Sequence, residues 1–523
     1  MEIFDDTNAI IASGLFFYRH LHGRPALRAF AADFRANAVE PSAVNGHFAM
    51  LVEQDGAAHL LTDQLGACKI YHNDDCSWLS DSYVLMLGMA GAKTLISQSV
   101  YEYAWYGTVF GGRTFFQQIA SFDPAAVYRL TGSVEALARS INFGMPDFSR
   151  APRQEILEHF RVRLARLFAL YGEHFRDRIE CSMSGGLDSR LMLAALLRRG
   201  VAPAVLVYGT KQTLDVSIAR EVAAGKGLEF KHVQKNPGDD VTLADFPALM
   251  CQIHWAFDGW GVTGAFMSDA ELLERLRRGR SGLYMNGSLG EIFRNSFHKP
   301  DRELTACQIA GAFFSQYAST WTTAVFQPRE YARALSAMIR RSVGGARGSM
   351  SRRAVELVYP LVRGRYWTAR DLAINLRFGP AACPFMEASV IAGTCTIPLS
   401  VKAAARFEHA LIRLIDADLI NYRTCYSNDP RRPYSFRRSI DYVSSVHRPL
   451  FMRKYSYRVK QALRPALSLP KTLTLPYLSS VIDPDFPYMS RYFHIGRIKD
   501  HAVLSRVATM EYLCQRYGAT NEF

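Results

Sequence analysis

Residues 181–192 read CSMSGGLDSRLM, three serines, two glycines and an aspartate where an apolar run, "RIECSM", gives way to a helix-forming run, "SRLMLAALLRRG". Successive backbone N–H groups at the start of a helix make an anion site, and glycines let a phosphate come close. Ser184, Gly185, Gly186, Leu187 and Ser189 are the candidate cradle, with Ser182 closing the preceding strand. A Walker-type loop would carry a lysine after its glycines, and Arg190 is not placed to imitate one. Asp188 would repel an anion directly, so its sensible task is to hold Mg²⁺ bridging the phosphates.

Outward from this turn, "PAVLVYG" reads as a strand, "DVSIAREVAAGKG" as a helix and "EFKHVQ" as a further strand. Strands alternating with helices predict an α/β fold with a doubly wound parallel sheet. Ligands on such sheets bind outside the carboxyl ends of the strands, which adds Val207, Tyr208 and Gly209 to the candidate site. Upstream, residues 47–82 alternate short apolar runs with turn formers such as Asp55-Gly56, as antiparallel hairpins do. From Pro152 the period becomes helical, with Ile156, Phe160, Leu164 and Leu167 on one face. The expected domains are 1–145 and 152–523, the second ending in a helical lobe from about residue 240.

The 523 residues, 49% hydrophobic and 21% charged, exceed one comfortable core and exclude a disordered chain. No apolar stretch reaches the ~18 residues of a membrane span. The acidic opening "MEIFDDTNAI" lacks the order of a signal peptide, and nine cysteines fall without CxxC spacing. These features predict a cytoplasmic protein. The formal net charge is +14, and residues 431–471 hold eleven cations against one acid, Asp441. That segment suits a solvated surface, an acidic peptide, a peripheral membrane contact or a partner protein. No zinc-finger, RNP or helix-turn-helix pattern accompanies it, so nucleic acid is not expected.

The S-G-G-x-D-S pattern resembles the pyrophosphate loop of N-type ATP pyrophosphatases. Several other stretches resemble the asparagine synthetase superfamily of these enzymes. "VNGHFAMLVEQ" is similar to one of its N-terminal strands, "LTDQLGACKIYH" to its R-D-x-L-G-x-x-P-L-Y hairpin, and "YGTVFGGRTFF" to its G-x-x-x-x-x-R-T-x-F turn. "NGSLGEIF" resembles G-x-x-S-D-E-x-F, and "CPFMEASVI" resembles P-F-L-D. The resemblance implies an N-terminal Ntn-hydrolase-like antiparallel β-sandwich followed by an ATP pyrophosphatase domain. ATP and Mg²⁺ are the implied cofactors. Asp215, Asp258, Gly287 and Ser288 are the further residues it places beside the nucleotide.

The departures from that pattern carry the functional expectation. Glu2 follows Met1 where glutamine-hydrolysing relatives expose a cysteine, and the first cysteine is Cys68. A glutaminase-inactive enzyme is therefore expected, acting on an amine already present in its substrate. β-Lactam synthetases and lasso peptide cyclases are the branches that resemble this, and the larger size and basic lobe favour the cyclase. The substrate would be a peptide, or alternatively a small amino-acid derivative. A leader-binding or protease protein is an implied partner. Amidation of another substrate with ammonia, or a silent nucleotide-binding regulator, are the remaining readings. Gly290 stands where the family places its second metal carboxylate, so Glu291 is the candidate replacement. No lysine occurs in 421–433, and Arg423 is the nearest substitute for the family's charge-neutralising lysine. Tyr284, Glu291 and Glu387 are candidates for the base that deprotonates the amine.

Overall fold

Five parallel strands organise the larger half of the molecule, in the spatial order Phe230–Gln234, Ala204–Gly209, Ile179–Ser182, Leu283–Asn286, Ala381–Ala382. The computed structural model describes all residues except 1, 6–7, 125, 132, 140–145, 235–240, 269–271, 273, 277–281, 346–347, 430, 463–468 and 521–523. Met1, Arg464 and part of the expected domain junction lie outside the described residues.

The chain starts in the middle of this sheet, winds outward twice, and then returns to the other side. The reversal falls between Ile179–Ser182 and Leu283–Asn286, which makes the gap above their carboxyl ends the ligand crevice of an open α/β sheet. Ser182 is in register with Asn286, so the loops after the two strands leave the sheet at the same level. Cys181, Val205 and Met285 are fully buried, as expected for strands covered on both faces. The helix Arg153–Phe175 starts after Pro152 and buries Ile156, Phe160, Leu164 and Leu167, the predicted face.

The N-terminal part holds a seven-stranded antiparallel sheet and a small three-stranded one, Leu79–Ser80, Tyr71–Asn73 and Ile119–Ser121. The hairpin Val44–Gln54 to Ala57–Thr62 turns at Asp55 and Gly56, both at positive φ. Helix Arg24–Arg35 covers the large sheet through Ala26, Phe30 and Ala31.

The apolar cores do not divide at residues 145–152. Leu15, Phe17, Leu65 and Ala67 share one core with the parallel sheet. Tyr71, Tyr103 and Phe116 share another with Phe246, Leu335 and Val507 of the helical lobe. Among the described residues no single helix is long and apolar enough to cross a membrane.

Candidate functional site

The 184–189 turn lies where the sequence places it, between Ile179–Ser182 and the helix Leu187–Leu197. Gly186 starts that helix without a side-chain cap, so the first turn presents backbone donors to the crevice. Within the turn the hydroxyls hold the backbone. Ser189 Oγ accepts from Ser184 N at 3.1 Å, and Ser184 Oγ accepts from Gly186 N at 3.2 Å. Asp215 joins them: its Oδ1 accepts from Gly185 N at 2.7 Å. An incoming phosphate would replace contacts of this kind.

The loop after Leu283–Asn286 closes on the same turn. A Cβ at Gly287 would lie 2.9 Å from the backbone N and Cα of Ser189, so only glycine permits this approach. Ser288 donates from N and Oγ to Asn286 Oδ1, at 2.9 and 2.8 Å, which fixes the bend. A Cβ at Gly290 would lie 2.5 Å from Asp188 Oδ1 and 2.8 Å from its Cβ. The position of the family's second carboxylate therefore has no room for a side chain while Asp188 stands as it does.

Asp188 faces a guanidinium that the sequence reasoning missed. Arg294 Nη2 lies 2.6 Å from Asp188 Oδ2 and 3.5 Å from Glu291 Oε1, and its Nη1 lies 3.5 Å from Glu408 Oε2. Arg294 also donates to Tyr426 OH at 3.3 Å. Burial raises the Asp188 carboxyl to about 6, against the pull of Arg294. Burial, then the Asp188 charge, pushes Glu408 well above the ordinary carboxylate range. Glu408 is fully buried, and Arg294 is the cation it faces.

Magnesium was expected on Asp188 and Glu291, and the residues as arranged do not fit it. Asp188 Oδ1 and Glu408 Oε1 are buried without a hydrogen-bond partner, but the cation they surround is Arg294. Among the described residues no three Asp, Glu, His or Cys side chains converge on a point that could hold an ion.

Segment 424–427 roofs the turn. Cys425 N donates to Gly185 O at 2.8 Å, and the Tyr426 hydroxyl sits against Gly186. Arg190 anchors this roof from below. Its buried guanidinium donates to the carbonyls of Leu419, Tyr422 and Arg423, at 3.2, 2.5 and 2.7 Å. Burial lowers it to about 10, so it stays charged.

Beside the turn opens a cavity of about 420 Å³ whose wall includes Glu291, Arg294, Arg363, Arg438, Tyr426 and Phe313. With Arg294 already paired to Asp188, Arg363 and Arg438 are the guanidiniums of this wall that suit a carboxylate guest. Arg438 stacks on Tyr426 at 4.2 Å, which keeps that charge at the wall.

Several expected residues stand elsewhere. Arg423 donates to Glu221 and Ser217, at 2.9 and 3.2 Å, on the exposed face of helix Leu214–Gly225. Its charge is spent there; Arg294 supplies the positive charge at Asp188. Asp258 is buried at the start of the helix Tyr83–Met89, accepting from Ser82 Oγ, Tyr83 N and Val84 N at 2.7–3.1 Å. Arg370 and Arg377 lie 3.6 and 3.7 Å from it. It ties the two halves together and has no oxygen to offer a nucleotide. Tyr284 lines a cavity at the amino ends of the strands, the wrong end for the crevice. Glu387 accepts from Gly46 N at 2.9 Å and Tyr171 OH at 3.1 Å. Burial lifts it to about 8, so it is a neutral linker between the halves. Val207 is buried under the crevice, Tyr208 donates to Glu274, and Gly209 ends its strand at the carboxyl edge.

Fold and crevice define an open parallel α/β sheet with an anion-type turn at its switch point. The chain matches no protein-family model and no curated protein.

Proposed function

We propose that this chain is an ATP-dependent, AMP-forming amide ligase of the asparagine synthetase type, with an Ntn-like N-terminal domain kept as a scaffold. The observation that carries the reading is the Ser-Gly-Gly-x-Asp-Ser turn at the switch point of the sheet, with an uncapped helix start behind it. The turn's N–H groups and hydroxyls would receive the β and γ phosphates. A substrate carboxylate held by Arg363 and Arg438 would attack the α-phosphorus, and pyrophosphate would leave. An amine would then attack the acyl carbon, AMP would leave, and the amine proton would pass to a base. Glu291 is the candidate base at the cavity wall.

A peptide bearing both groups fits best, because joining two ends of one bound chain makes the second step intramolecular, worth up to ~7–11 kcal/mol. Cys68 supports a silent N-terminal domain: it is buried, its thiol is pushed well above its ordinary value by burial, and it lies against His47 O. A regulator that binds nucleotide without turnover is favoured by one observation, the occupation of Asp188 by Arg294.

The deciding experiment incubates the full chain with α-labelled ATP and peptides that carry a free amine and an Asp or Glu side chain. AMP, pyrophosphate and a peptide lighter by one water support the ligase. ADP as the product overturns it, and nucleotide binding with no pyrophosphate selects the regulator. Asp188→Ala is expected to abolish pyrophosphate release and, because it unpairs Arg294, to lower the melting temperature as well.

A further inference from the structure

We infer that the helix pair Phe436–His447 and Leu450–Ala462 is a docking surface for an anionic lipid bilayer. The pair is seated by its inner side. Tyr442 is the buried residue of the first helix and its hydroxyl accepts from Asn295 at 3.2 Å. Arg453 of the second helix donates to Phe297 O, His298 O and Ser445 O, at 3.0, 2.9 and 2.6 Å.

The outer side is apolar and exposed. Phe436, Ile440 and Val443 stand 76%, 53% and 52% exposed at helical spacing. On the second helix, Phe451, Met452, Tyr455 and Val459 stand 69%, 47%, 50% and 58% exposed at the same kind of spacing. Large side chains so exposed on two consecutive helices exceed what isolated surface residues explain.

Charge decides the occupant. Eleven cations lie between residues 431 and 471 against Asp441 alone, and Arg431, Arg437 and Arg448 are exposed beside the apolar stripes. Cations flanking an apolar stripe match anionic headgroups over hydrocarbon, both at once. A protein partner would be expected to seat an anchor side chain in a pocket. The cavity here, about 330 Å³, is walled by Ser445, Arg448 and Arg453 rather than by the seven exposed apolar residues. That cavity shares Phe297, His298, Phe313 and Gln316 with the one beside Asp188, so the candidate site would open next to the lipid.

The test floats the full chain with vesicles and does not depend on any ligase activity. Phosphatidylcholine vesicles containing about 30% phosphatidylglycerol should bind it at least about tenfold more tightly than pure phosphatidylcholine, with the difference lost in high salt. Phe436→Ser combined with Phe451→Ser should weaken that binding about tenfold while far-UV circular dichroism and the melting temperature stay unchanged, since both side chains are exposed. Arg431→Glu with Arg437→Glu should do the same. No binding to the anionic vesicles, equal binding to both compositions, or binding unaffected by the apolar pair overturns the inference. So does a wild-type chain that self-associates through these residues and ignores vesicles.

Discussion

Arg294 Nη2 stands 2.6 Å from Asp188 Oδ2, so the acid of the anion-type turn is neutralised by a guanidinium from the neighbouring loop. Two other carboxylates share that guanidinium, one of them on a fully buried residue, Glu408. Removing the cation would leave Glu408, which water cannot reach, facing Asp188 without a neutralising partner.

Arg294→Gln is therefore expected to cost about 3–5 kcal/mol in urea unfolding and to abolish ATP binding measured by calorimetry. Arg423→Ala serves as the contrast. Its pair with Glu221 is solvent-exposed, so the loss should stay within about 1 kcal/mol and ATP binding should persist. Equal effects of the two substitutions would return the charge-neutralising role to Arg423.

Gly287→Ala should destabilise the chain by about 1–3 kcal/mol and lower pyrophosphate release. Its new Cβ would press on the backbone of Ser189, which has no soft side chain to yield. Gly88→Ala is the matched control. Gly88 is exposed within the helix Tyr83–Met89 and its Cβ would meet nothing within 4 Å, so that change should stabilise by up to about 1 kcal/mol. Thermal melts with activity assays separate the two.

Glu387 predicts a pH dependence of stability. Its folded carboxyl titrates at about 8, above its ordinary value of 4.5, so the folded state keeps a proton that the unfolded chain has released. Stability then falls as pH rises between about 4.5 and 8, with a slope of up to ~1.4 kcal/mol per pH unit, and levels off above. Glu387→Gln keeps a hydrogen-bonding side chain without the titration. Its urea midpoint should lose that slope; an unchanged slope would assign the dependence to other groups.

The parallel sheet was legible because its strands are short, apolar and separated by helices with clear periods. The turn was legible because six adjacent residues carry its chemistry. Arg294, Glu408 and Tyr426 were not legible. Each sits in an unremarkable local pattern, and only the fold brings residues 188, 294, 408 and 426 together. Asp258 and Glu387 failed for a related reason. A carboxylate in a suggestive segment looks the same in sequence whether it faces a ligand or satisfies buried backbone donors. The cores that cross residues 145–152 were not legible, because hydrophobic periodicity reports burial and not which neighbours supply it. Tyr71 and Val507 lie far apart in the chain and in one core.

Arg190 belongs to the helix that begins at the 184–189 turn, yet its three hydrogen bonds end on the segment of chain overhead. Floor and ceiling of the crevice are thus bolted to a single pillar. Prising them apart would leave a buried guanidinium facing no acceptor, so a guest must slide in from the flank. Any change in the shape of this chamber has to come from its side walls.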